Sequence, residues 1–170
     1  MEKNIRMAFV FSLITLILLN FLFYIIGFSI EGLLDYEMND IATNPIWILY
    51  RLFQPFGHFP FDLAGLIEAP VLGHLLRYIG MIITLIITAL VAGMAGGNNK
   101  NAIKGWVLTC IVCIVMVGIA ASLIYEVRIR VTLNTSSEII IAIVFVIMAG
   151  AVNILIFGVI TILVAYYIRK

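Results

Sequence analysis

The side chains with the widest chemical range in this chain stand close together. His58, Asp62, Glu68, His74 and Arg77 fall in one short stretch. A histidine followed four residues later by an aspartate, with a glutamate and a second histidine downstream, offers the nitrogen and oxygen donors that hold a divalent metal. The same set reads as a polar cluster at a membrane surface. His74 and Arg77 sit one helical turn apart and would meet headgroups or the loop carboxylates together. No metal-binding motif of fixed spacing is present, so the polar cluster is the reading favoured and no cofactor is implied.

A second group is the pair Cys110 and Cys113, spelled CIVC. The spacing is that of thiol–disulfide motifs, but such relays need further cysteines on an oxidising surface, and the chain has two cysteines in all. Thiols shielded by apolar neighbours are poor nucleophiles. The third group is Asn20 and Asn153, each inside an apolar run. Counted from the ends of their segments they fall at similar depth, which predicts either a hydrogen-bonded clasp or a polar lining for a solute path. Metalloprotease, kinase and hydrolase motifs are absent, and the sequence predicts no catalytic residues.

Composition decides what must position these groups. Of 170 residues, 64% are hydrophobic and 11% charged. A soluble domain is nearer half apolar and a quarter charged. A chain of this size cannot bury that much apolar surface in its own core, so lipid must be part of its solvent. The formal net charge of +1 gives no field that would recruit nucleic acid.

Crossing a hydrocarbon core takes about 20 helical residues. Stretches about 7–30, 71–96, 103–125 and 139–168 meet that length. The reading is one all-α integral membrane domain over 1–170, a four-transmembrane-helix bundle. Lys3, Arg6, Lys100, Lys104, Arg169 and Lys170 then share one side, while Glu31, Asp35, Glu37 and Asp40 lie on the other. The bias of Lys and Arg toward the cytoplasm puts both termini inside a plasma or cytoplasmic membrane. Trp106, Tyr166 and Tyr167 would mark the inner interface, and Tyr24, Trp47, Tyr50 and Tyr125 the outer one.

Loop 31–70 is then extracytoplasmic. It holds all four prolines, Pro45, Pro55, Pro60 and Pro70. EGLLDYEMND reads as its acidic, water-facing start. Asn44 before Pro45 is a cap followed by a proline at the first helical position, opening PIWILYRLF. Asp62 is a second cap, opening LAGLIEA before Pro70. Neither helix is long enough to span. Two interfacial helices forming a lid are predicted, with a re-entrant hairpin as the rival. In the second outer loop, EVRIRVTL (126–133) alternates polar and apolar and reads as a short strand. Thr135 and Glu138 form a capping box for the last span.

Packing signal is strongest in the second span. Gly80, Thr84, Thr88, Ala92 and Gly96 recur every fourth residue, a spacing that lets helix backbones approach closely in lipid. No Asp, Glu, Lys, Arg or His lies deep in any of the four runs, where proton-coupled carriers usually need one. The layout, four spans with inner termini and a larger first outer loop, resembles that of tetraspan junction and scaffold proteins such as claudins. Their Trp-Gly-Leu-Trp-Cys-Cys signature is absent here. The expectation is a non-enzymatic membrane protein that acts as an assembly subunit or scaffold, with lipid, other membrane proteins or copies of itself as partners. The alternative is an oligomeric channel or small-solute transporter lined by Asn20, Thr84, Thr88 and Asn153.

Overall fold

The computed structural model describes residues 4–58, 72–129 and 135–169, and among them the chain is helical with no strand. The helices are α1 (Ile5–Glu31), α2 (Leu34–Thr43), α3 (Ile46–His58), α4 (Leu72–Gly96), α5 (Asn99–Ile129) and α6 (Thr135–Arg169). Segments of α1, α4, α5 and α6 are long and apolar enough to cross a membrane. Large apolar side chains such as Leu18, Ile111, Leu155 and Leu163 point outward, as lipid-facing positions would.

Local signals set the ends. Asn4 accepts from Met7 N at 3.0 Å and starts α1. Gly32 ends it at φ 69°, where its N–H turns back to the Phe28 and Ser29 carbonyls; a glycine is needed for that left-handed turn. Asn44 Oδ1 accepts from Ile46 N at 3.3 Å, so the Asn-Pro pair does open α3. Gly97, at φ 71°, and the Asn98 side chain, which accepts from Asn101 N at 2.8 Å, make the turn from α4 into α5.

α1 packs chiefly on α4, and α5 on α6. The small row of α4 lies inside these contacts. A Cβ at Gly80 would strike the Phe23 ring of α1, and one at Gly96 would strike Ala102 of α5. A Cβ on the neighbouring Gly93 would strike the Thr161 backbone and Val164 of α6. Thr84, Thr88 and Ala92 are fully buried between them.

Several expectations need correction. The helix from residue 46 is not a lid. Phe53 and Phe56 of α3 belong to the central core with Leu16, Leu85, Trp106 and Phe157. Phe56 stacks at 5.7 Å on Trp106, which is therefore core and not an interface marker. At 1.5 Å per residue the 13 residues of α3 reach about 20 Å, too short to cross and long enough to enter the bundle. Aromatic mass decides the matter, because Phe53 and Phe56 gain more from a filled core than from a surface. The strand expected at 126–133 fails over 126–129, which continue α5: the helix already running from Asn99 gains a hydrogen bond with each added residue, and a lone strand has no partner to pair with. Residues 130–133 lie outside the described residues, as do the Asp62 helix and the side chains of the Thr135–Glu138 capping box. The acidic start of the outer loop is helix α2, and its Glu37 is buried.

Candidate functional site

Pro55 explains how α3 is held. A proline inside a helix has no N–H to give the carbonyl four residues earlier, here Arg51. Asn20 of α1 supplies the missing donor. Its Nδ2 lies 2.6 Å from the Arg51 carbonyl and 2.9 Å from that of Leu52. Asn20 is thus a clamp on α3 through its Nδ2. Asn153 is fully buried on α6.

Held this way, α3 carries the Arg51 side chain to a cavity of about 340 Å³ at the end of the bundle where α1 finishes and α4 begins. Its polar lining includes Asn20, Tyr24, Glu31, Glu37, Arg51, Gln54, His74 and Arg77, with Phe28 and Met81 among its apolar walls. Two ion pairs cross it. Arg77 Nη1 and Nη2 donate to Glu31 Oε2 and Oε1 at 2.8 and 3.1 Å, a bidentate fork joining α4 to α1. Arg51 Nη2 donates to Glu37 Oε1 and Oε2 at 3.0 and 3.3 Å, joining α3 to α2. The Tyr24 hydroxyl donates to Glu37 Oε2 at 2.6 Å and ties α1 to the same carboxylate. His74 Nδ1 stands 3.0 Å from Glu31 Oε1, at ion-pair distance.

Both guanidiniums lie against one ring. Arg77 Cζ is 3.9 Å from the Phe28 centroid and Arg51 Cζ 5.6 Å. Cation–π attraction strengthens when the cation is partly desolvated. Glycines make room for the longer pair. A Cβ at Gly27 would strike the Arg77 stem, and a Cβ at Gly73 the Glu31 stem. The Glu31 side chain is 3% exposed and Arg77 17%, so neither charge has much water to fall back on. Removing one partner from such a pair costs more than the pair contributes, because it strands the other charge.

Sequence reading named Asn20, His74 and Arg77, and these do meet at the cavity. It passed over Tyr24, Phe28, Glu31, Glu37 and Arg51 as site residues. One signal was available: a lone arginine in an apolar helix implies a buried acidic partner. The metal reading gains nothing from the described residues. No group of three metal-ligating side chains occurs among them, and His74 stands beside Glu31. Asp62, Glu68 and the His58 side chain lie outside the described residues. Cys110 and Cys113 are free thiols buried in the core. Comparison with protein-family models, curated proteins and solved structures gives no match.

Proposed function

We propose that this chain is a non-enzymatic polytopic membrane protein that takes a small polar solute into the cavity between α1, α2, α3 and α4. One observation carries this reading: a cavity of about 340 Å³, within the usual size of ligand sites, whose walls hold two arginines and two glutamates. Buried charge is expensive, and a bundle built only to pack could fill this space with leucine. Both carboxylates are paired to arginine, which supports a binding role over acid–base catalysis.

The burial of Gly80, Thr84, Thr88, Ala92 and Gly96 within one chain weakens the assembly reading, because that row no longer needs an outside partner. The distribution of Lys and Arg supports a cytoplasmic position for both termini, with the cavity opening outward. The test is a calorimetric screen of the purified protein against sugars, amino acids, amines, carboxylates and phosphate. One solute class is expected to bind, and Gln54→Trp, which fills the cavity from α3, is expected to remove it. No binding by any solute, together with isolation only in complex with other membrane proteins, would return the assembly reading to first place.

A further inference from the structure

The cavity has more hydrogen-bond donors than acceptors, and from that imbalance we infer its occupant: a small oxyanion, a carboxylate or phosphate group, held by Arg51 and Arg77 beside the Phe28 ring. The inference rests on the solute-binding reading above and narrows it.

A carboxylate only accepts hydrogen bonds, whereas a guanidinium has five N–H donors. Glu31 has both oxygens on Arg77, and Glu37 has both on Arg51 with Tyr24 added. Every carboxylate oxygen is thus engaged, and of the roughly four lone-pair sites on each group only one or two remain. More donors than that remain. Arg51 bonds only through Nη2, so its Nε and Nη1 hydrogens have no acceptor among the described residues, and Nε is fully buried. Arg77 uses one hydrogen on each Nη for Glu31, and among the described residues its Nε–H and the second hydrogen of each have no acceptor of their own. A buried donor without an acceptor is costly, so such donors favour a partner that supplies oxygen.

Charge selects further. An amine or ammonium would meet two guanidiniums and compete with them for the two carboxylates. A polyol would satisfy some donors without gaining from the charge. An oxyanion presents two oxygens in the spacing of the Nε–Nη2 edge, the side-on geometry in which arginine binds carboxylate and phosphate; on Arg77 that edge lies beside the end-on fork to Glu31, while Arg51, with Nη2 on Glu37, offers Nε–H and Nη1 as single donors. Both arginines line this cavity, which is the ground for placing a single small anion between them. Glu31 and Glu37 hold the two guanidiniums in place before the ligand arrives, which lowers the ordering cost of binding.

The protein in non-ionic detergent is titrated with inorganic phosphate and with acetate, and in parallel with glycerol and methylammonium at matched ionic strength. Calorimetry and intrinsic fluorescence both serve, since Trp47 stands 5.3 Å from the Arg51 guanidinium. The anions are expected to bind and the other two to give no signal. Arg51→Lys keeps the charge beside Glu37 but removes the Nε–H and Nη1 donors, and should weaken phosphate about tenfold or more, the loss of one charge-assisted bond. If that variant misfolds, Arg77→Lys gives the same readout. In nanodiscs, competition by phosphatidylglycerol would identify a lipid headgroup as the natural source of the anion, and lack of competition a soluble one. Binding of glycerol or methylammonium without the anions would overturn the oxyanion and leave the cavity reading standing. Binding of nothing would remove both. Phosphate affinity unchanged in both lysine variants would also overturn it.

Discussion

Asn20→Leu tests how α3 is held. The substitution keeps the number and branching of the side-chain heavy atoms and deletes two hydrogen bonds, at 2.6 and 2.9 Å, to the Arg51 and Leu52 carbonyls beside Pro55. Interhelical hydrogen bonds in membrane proteins average about 0.6 kcal/mol and reach about 1.7 kcal/mol. A buried carbonyl left unpaired adds a penalty of about 1–3 kcal/mol. Asn20→Leu should therefore destabilise the bundle by about 2 kcal/mol. The cause can be isolated. Pro55→Ala returns an N–H to position 55, and that N–H can reach the Arg51 carbonyl within α3. In the Pro55→Ala background, Asn20→Leu should then cost about 1 kcal/mol less than in the parent, a coupling that a double-mutant cycle reads directly. The assay is reversible unfolding in mixed micelles of rising SDS fraction, followed by far-UV circular dichroism. If the two substitutions add to within about 0.5 kcal/mol, Asn20 does not compensate for the proline and the reasoning fails.

Four further outcomes are expected. Arg77→Gln strands Glu31 and should lower stability by about 3–5 kcal/mol, while Glu31→Gln added to it should recover part of that loss in the same unfolding assay. Gly80→Leu drives a side chain into Phe23 and should separate α1 from α4, costing about 1–3 kcal/mol or more without changing the particle mass measured by light scattering. Trp106 Nε1 is buried without a partner, so Trp106→Phe loses no hydrogen bond and should cost less than Phe56→Ala, which empties the same aromatic stack and should cost about 3–5 kcal/mol. In intact cells, a cysteine placed at Asp35 should react with an impermeant thiol reagent and one at Asn99 should not; the reverse pattern would invert the proposed orientation.

The largest misreading came from Pro55 and the aromatics around it. Read along the chain, a proline in a short apolar helix suggests a surface piece, since the helix cannot complete its own hydrogen bonds. Asn20, 35 positions earlier, completes them and lets the segment go inside. Glu37 was misread for a similar reason: a run with Asp35, Glu37 and Asp40 looks solvated, yet Glu37 faces Tyr24 and Arg51 while Asp35 stays exposed. The small row of α4 was plain from its spacing, but spacing alone does not say whether the partner helix belongs to the same chain.

What this sequence determined by itself is the part of the structure that depends on local sums. Segment hydropathy and length set four helices able to cross a membrane, caps at Asn4, Gly32 and Gly97 set several of their ends, and Asn44 opens α3, because each rests on neighbours within a few residues. Only the tertiary structure decided that α3 enters the bundle and that Glu31 meets Arg77 and Glu37 meets Arg51 at one cavity. Those pairings depend on the depth and rotation of each helix against the others. Packing around Gly27, Gly73 and Phe56 sets both, and no one-dimensional pattern records them.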